Sequence, residues 1–363
     1  MRDAVIVEAV RSPIGKRNGG LAGTHAVEVS AQVLTALVAR AGLDPELIDD
    51  VHWGNVISIG QQSGNIGRMA VLGAGWSEAI PGFTIDRQCG SSQQAISTAA
   101  ATVVSGQADI IVAGGVEMMS NVPMGAATVE GTGQMGGPAV TRYSTELAEF
   151  PGFHGRFNQG AGAEKIAADY GLSRTQLDEY SVRSHERAAK AQAAGDFEAE
   201  ITPITTAAGT VDADEGIRPG SSVEKLATLK APFIENGVIT AGNASQISDG
   251  AAALLITTSE KAAELGLTPI ASSPLASGTL VGEATSKKLQ AVAAVFDRIA
   301  AEQGAPRVAV VLSWLLHHPA GVVPIVSTSR VARIRQCAEA TEVGFSRQQW
   351  YEVLAASRGQ SLF

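Results

Sequence analysis

The chain has 363 residues, 45% of them hydrophobic and 17% charged, with 40 glycines and a net charge of −9. That length and texture suit a soluble, tightly packed α/β protein of about two domains. Acids and bases are interspersed without a basic block, which excludes a nucleic-acid footprint, and two cysteines, Cys89 and Cys337, make neither a disulfide framework nor a zinc quartet.

The start, MRDAVIVEAVRSP, goes straight into a strand-like run, AVIVEA at 4–9, and has no signal-peptide layout. Residues 26–42 predict an amphipathic helix with Val29, Val33 and Leu37 on one stripe, stopped by Gly42 and Pro45. VHWGNVIS at 51–58 reads as a second strand, and GNIGRMAVLGAG as a helix. A strand end then leads into TIDRQCGSSQQA, whose small residues after Cys89 open a helix running through QAISTAAATVVSG. DIIVAGGVEMM at 109–119 is the next strand. Strands alternating with helices predict a layered α/β domain with a largely parallel sheet.

Residues 120 to about 160 are rich in Gly, Pro and Met and read as ordered loop. GAEKIAADYG and SRTQLDEYSVRSHERAAKAQAAG follow as helices, the second with Ser173 and Gln176 spaced as a capping box. AGNASQISDGAAALLITT at 241–258 is a turn-rich loop and then an apolar run that fits a helix start or a strand. Near residue 272 the texture changes. Amphipathic helices in the 280s–300s and in PRVAVVLSWLLHH, a strand in GVVPIVSTS, and helices in RVARIRQCAEA and SRQQWYEVL complete the chain. No apolar run approaches membrane-spanning length, so a cytoplasmic protein is expected.

Cysteine reacts as its thiolate, which the unpaired N–H groups at a helix N-terminus favour. Cys89 is placed that way if its helix starts near Gly90. Taken alone, it reads first as a small hydrophobe filling a sheet–helix gap.

Its surroundings decide otherwise. VRSPIGKRNGGL, VHWGNV, DRQCGSSQQAI, AGGVEMMS, DEGIRPGSSVEKLATLKAPF and TAGNASQISDGAAALL resemble, in order and spacing, the thiolase family of acyl-CoA acyltransferases over about residues 1 to 271. The wording of NQGAGAEKIA and SQISDGAAA looks closest to the branch acting on 3-ketoacyl-CoA, with steroid side-chain thioesters one candidate. The resemblance implies a thiolase-like layered N-terminal domain from residues 1–119 and 246–271. It also implies an α/β loop domain from 120–245 that holds coenzyme A. Cys89 would be the nucleophile that takes the acyl group as a thioester. Arg218 would lie near the nucleotide end of coenzyme A and Ser245 near the pantetheine arm. Asn158 and Gln159 stand where many relatives carry the histidine and methionine of an HMG motif. No permanently bound cofactor is implied; acyl-CoA is the substrate, and a homo-oligomer is a further expectation.

The second thiolase half is expected to supply an NEAFA asparagine, a GHP histidine that activates the nucleophile, and a CxGGG cysteine for proton transfer. This sequence contains neither NEAFA nor CxGGG. The segment HHPAG places His318 before Pro319 as in GHP, but its flanks belong elsewhere, and Cys337 sits in a helical stretch without glycines. Residues 272–363 instead resemble the C-terminal end of the aldo/keto reductases, on SPLASGTL, VAVVLSWLLHHPAGVVPIV, STSRVARIRQ and RQQWYEVL. There the SPL and STSR stretches lie at the NADPH phosphates and Arg330 and Arg333 match basic residues near the adenine ribose phosphate, but Ser327 stands where a glycine is common, and the arginines are expected here to be solvated. The fold implied is a partial (β/α)₈-barrel fragment with about two of eight strands, which cannot close. An impaired acyltransferase is therefore the leading expectation. An NADPH-binding module and a chimeric chain without selected activity are the alternatives, the last because the change at Ala271–Ser272 has no linker. The reductase-like helices are expected to collapse onto the face that the missing half leaves open.

Overall fold

The computed structural model describes residues 2–127, 150, 158–271, 274–282, 286–319, 321–326 and 331–359. Four strands carry the site: β1 (Val5–Arg11), β3 (Asp50–Gly54), β5 (Ile110–Met118) and β8 (Ser248–Thr257), with β2 (Gly15–Lys16) beside β8 and β4 (Gly82–Ile85) beside β3. Two short strands, β9 (Ile270–Ala271) and β10 (Val323–Pro324), extend the sheet to the order β10-β9-β1-β8-β5-β3-β4. The hairpin of β6 (Ile204–Thr206) and β7 (Gly209–Val211) stands apart, and the composition of its turn-bearing segment did not announce it.

The pairing corrects the expectation of a largely parallel sheet. β3 runs parallel to β4 and β5, but β8 is antiparallel to both β1 and β5. β8 is reached after the long excursion through residues 120–247, so no direct βαβ crossover dictates its direction. Its apolar run, ambiguous in sequence, becomes a strand because β1 and β5 flank it and satisfy its backbone groups.

Helices cover both faces. α1 (Ala26–Ala41) and α2 (Ile66–Gly73) bury Val29, Val33, Leu37, Ile66 and Val71 against Val51, Trp53 and Leu255. α1 stops at Gly42, whose φ of 63° lets its N–H reach the carbonyl of Ala39. On the opposite face lies α3 (Ser91–Ser105), with Ser91, Ala95, Ala99 and Val103 buried at four-residue spacing over Ile111, Ala113 and Ile256. This second cluster is thinner, and the outer side of α3 remains open, with Val104 exposed.

Beyond the first thiolase-like sheet, α4 (Gln159–Asp169), α5 (Arg174–Ala193) and α6 (Val223–Ala227) precede β8, and α7 (Ser259–Glu264) follows it. The capping box of α5 is formed: Gln176 N–H donates to Ser173 Oγ at 3.3 Å and Ser173 N–H to Gln176 Oε1 at 2.8 Å. The C-terminal part contributes α8 (Lys287–Gln303), α9 (Arg307–Leu316), α10 (Val331–Ala338) and α11 (Arg347–Arg358). α8 and α9 connect β9 to β10, which pair in parallel.

These last helices do not collapse onto the α3 face. Phe296, Ile299, Val308, Val311, Leu312 and Val353 form a hydrophobic cluster of their own. Trp314 and Trp350 stack within it at 5.4 Å, each indole N–H donating to the other's backbone carbonyl at 3.1 and 3.0 Å. The amphipathic stripes of α8 and α11 pack against each other rather than against the sheet. Val323, Ile325 and Val326 around β10 stay exposed. No helix among the described residues is long and apolar enough to cross a membrane.

Candidate active site

Cys89 is exposed and stands immediately before Gly90, the N-cap of α3. The turn that presents it is held from both sides. Gln88 N–H donates to Asp86 Oδ1 at 2.7 Å. Ser91 Oγ accepts from Arg87 N–H at 2.9 Å and donates to the Gln88 carbonyl at 2.6 Å. Gln88 itself has a φ of 51°, a left-handed conformation that costs a non-glycine residue roughly 1 kcal/mol and recurs where a chain must present a functional group. Gly90 has no side chain to cap the helix, and of the first-turn N–H groups that of Ser91 is taken by the Gln88 carbonyl at 3.0 Å.

Two glycines bring this helix end close to the sheet. A β-carbon on Gly54, at the end of β3, would run into the backbone of Ser91 and Ser92. One on Gly115 of β5 would meet Ser92 Oγ and the Gly54 carbonyl. The glycines of VHWGNV and AGGVEMMS thus set the height of α3, and through it the position of Cys89. Next to them, Glu117 accepts from Val56 N–H at 2.9 Å and from Gln62 Nε2 at 2.7 Å, tying down the loop that follows β3.

Arg218 and Ser245 come together in a separate cavity of about 980 Å³. Tyr180, Ser184 and His185 of α5 form one wall, and residues 214–221 and 241–248 the others. Arg11 forms part of the lining, donating to both oxygens of Asp214 at 2.7 and 2.9 Å and to Glu200 at 2.9 Å. Burial works against the Arg11 charge, but the hydrogen bonds to Asp214 and Glu200 outweigh it and raise its pKa. Burial likewise opposes ionisation of Asp214, and the bonds from Arg11 and from Ile14 N–H overcome it, holding this carboxyl below its ordinary value. Arg218 is different: no carboxylate among the described residues pairs with its guanidinium. Lys225, which the sequence did not single out, lines the same cavity and donates to the Gly220 carbonyl at 2.9 Å, with no carboxylate paired to it among the described residues. Two uncompensated cations suit a polyanionic ligand.

The Ser245 loop is built by a buried polar network. Asn243, two residues earlier, donates to Asp178 Oδ1 at 3.0 Å and to the Val238 carbonyl at 2.9 Å, and accepts from Thr240 N–H at 2.8 Å. Glu164 on α4 accepts from Val238 and Ile239 N–H at 2.9 and 2.8 Å. Asn158 caps α4, accepting from Gly160 N–H at 3.0 Å, and Gln159 is exposed. Cys89 is not among the residues lining this cavity.

The remaining sequence candidates sit elsewhere. His318 lies just past α9, its ring 5.8 Å from that of Trp350 within the C-terminal cluster. Cys337 on α10 is half-buried; burial pushes its thiol up against the smaller opposing effect of Arg333. Ser327 and Arg330 lie outside the described residues. No group of His, Cys, Asp and Glu among the described residues is arranged to hold a metal ion.

Comparison with known proteins agrees with this division. A family model described as "Thiolase, N-terminal domain" matches residues 4–260, and one described as "Aldo/keto reductase family" matches 255–358. The steroid 3-ketoacyl-CoA thiolase FadA6 of Mycobacterium tuberculosis is 46% identical over 269 residues, which are 74% of this chain and 65% of that one. The 3-ketoacyl-CoA thiolase of Saccharophagus degradans is 40% identical over 278 residues, covering 74% and 68%. The crystal structure of the Bacillus anthracis acetyl-CoA acetyltransferase superposes with a TM-score of 0.63 at 39% identity, covering 74% of this chain and 68% of that one. This chain therefore spans about two thirds of the length of the relatives it matches. With a match running from β1 into α7 and taking in the Cys89 turn and the whole cavity wall, the chain belongs to the thiolase family.

Proposed function

We propose that this protein is a thiolase-type acyl carrier that receives an acyl group on Cys89 from an acyl-CoA whose coenzyme moiety is held in the 980 Å³ cavity and whose thioester end extends out of it to the thiol. In this reading residues 1–119 and 246–271 are the thiolase-like layer, 120–245 the loop domain that holds coenzyme A, and 272–363 the reductase-like C-terminal part. Arg218 meets the phosphates of the nucleotide end, and Ser245 bonds an amide of the pantetheine arm. The observation that carries the proposal is Cys89 itself: an exposed thiol at the uncapped start of α3, on a turn held by Asp86 and Ser91.

The thiolate of Cys89 attacks the keto carbon of a 3-ketoacyl-CoA. The bond between that carbon and the neighbouring methylene breaks, the acyl group stays on sulfur, and the departing carbon takes a proton to leave as acetyl-CoA. The NEAFA and CxGGG segments that would assist this step are missing from the sequence. A positioned acid–base group typically contributes about 10²–10⁴-fold, so slow acylation with little turnover is expected. The names of the relatives favour 3-ketoacyl-CoA substrates, steroid side-chain thioesters among them. The open face of α3 suits a homo-oligomer, and a cytoplasmic setting fits the free thiols.

Incubation with acetoacetyl-CoA followed by mass spectrometry of the Cys89 peptide tests the proposal. An acetyl adduct on Cys89, absent from Cys89→Ala and from Cys337, is the expected result. An unmodified Cys89 after prolonged incubation removes the acyl-carrier function.

A further inference from the structure

The C-terminal cluster has a gap in its core that none of the roles assigned above uses. Where α8, α9 and α11 converge, a cavity of about 180 Å³ lies over Phe296, Val311 and Val353, each 1% exposed, with Leu280, Leu289 and Trp314 among its sides. The polar side chains in its wall are occupied or wet. Trp314 Nε1–H donates to the Trp350 carbonyl at 3.1 Å, and Ser357 Oγ donates to the Leu354 carbonyl at 2.7 Å. Lys288 is exposed in the first turn of α8, where water solvates its ammonium. We propose that this cavity is a binding site for a neutral, apolar molecule of one or two rings.

Polarity sets the class of ligand. A buried water settles where several polar groups can bond it, and the indole and hydroxyl protons of this wall are spent elsewhere. Volume sets the size. An apolar cavity of about 150 Å³ stays dry and takes up benzene. At about 180 Å³ this one is slightly larger, yet well below the roughly 300 Å³ at which pockets for drug-sized molecules begin. A fused steroid nucleus exceeds it. The gap also cannot close on itself. Trp314 stacks on Trp350 at 5.4 Å, and the two indoles exchange hydrogen bonds with each other's carbonyls, so Trp314 cannot swing inward without breaking them. Phe296 meets Trp314 edge-on, with ring centroids 6.4 Å apart at 75°, so the wall offers aromatic surface to a flat guest. A wall already held in place loses little freedom when it is filled. The lining of a void forfeits dispersion contacts, and a guest that restores them stabilises the helices around it. All the lining residues lie beyond Ala271, so the site stands apart from Cys89 and from acyl transfer.

Toluene, titrated into the full chain with its Leu and Val methyl groups isotope-labelled, tests the inference by NMR. The methyl resonances of Val292, Val311 and Val353 should shift as the ring current of the guest reaches them, saturating with a Kd below about 1 mM. Those of Val51 and Leu255 in the sheet core should stay in place. Phenol carries a hydroxyl that the cavity would bury without a partner, and it should bind at least about tenfold more weakly. Leu289→Phe places a larger side chain at the half-buried rim and should abolish toluene binding. The proposal is overturned by an absence of methyl shifts up to the solubility of toluene, or by shifts of equal size at Val51 and Leu255. Phenol binding as tightly as toluene, or a folded Leu289→Phe that binds like the wild type, overturns it as well. The wild-type titrations decide the matter even where the variant does not fold.

Discussion

The two parts of this chain solve the same problem differently. The first thiolase-like part stacks helices on both faces of a twisted sheet, with Trp53, Ile111 and Leu255 fully buried between long paired strands. Among the described residues the C-terminal part has only the two-residue β10 paired to β9, and it makes its core from helix against helix around Phe296 and Trp314. A large sheet holds its register through many cross-strand pairs and can carry an exposed reactive residue at a helix end. A helical cluster can be complete with very little sheet, because its backbone hydrogen bonds are all local. The junction falls at β9, which is antiparallel to β1 on one side and parallel to β10 on the other. The chain crosses from one architecture to the other inside the sheet.

That contrast can be sharpened by substitution. The largest expected effect is chemical: Cys89→Ala abolishes acyl adduct formation outright and leaves thermal stability unchanged, since the side chain is exposed. Adduct mass and a melting curve together check it. Next comes Phe296→Ala, which empties a position 1% exposed and costs about 3–5 kcal/mol. If the two parts are held by separate cores, hydrogen exchange rises in α8, α9 and α11 while β3, β5 and β8 keep their protection. Equal loss in both parts would show instead that they unfold as one.

Gly54→Ala acts in the first part alone. Its methyl group meets the backbone of Ser91 and Ser92 rather than a flexible side chain, so about 1–3 kcal/mol is expected, with α3 lifted from the sheet. Alkylation of Cys89 by a small thiol reagent should slow relative to Cys337. The smallest effect is a pH dependence. Asp214 has a lowered pKa in the folded state, so its contribution is full above the ordinary carboxylate value near pH 4 and is lost as the pH falls through the lowered one. Asp214→Asn should cost about 1.5 kcal/mol at pH 7 by urea unfolding. The gap to the wild type should narrow as the pH falls below about 4.

Much of this was legible beforehand where a local rule acts within a few residues. Gly42 ends α1 in the left-handed conformation, Ser173 and Gln176 cap α5, and the helix after Cys89 starts where the small residues begin. Ser346 with Gln349 caps α11 by the same rule. The second strand ends at Gly54 rather than Ser58, because Glu117 and Gln62 draw residues 55–62 into a polar loop. His185 and Lys225 left no signal: a histidine and a lysine on exposed-looking helices gain meaning only from what folds opposite them.

Sequence alone determined which cysteine precedes a helix start, the helix that follows it, the two family textures and the point where they meet, because each is written in neighbouring residues or in motifs kept in order. Tertiary structure alone decided the direction of β8, the gathering of Arg218, Ser245 and His185 around one cavity, and the refusal of the last helices to cover α3. Those outcomes depend on which surfaces meet across tens to hundreds of residues, where burial and backbone pairing compete, and no local pattern records the winner.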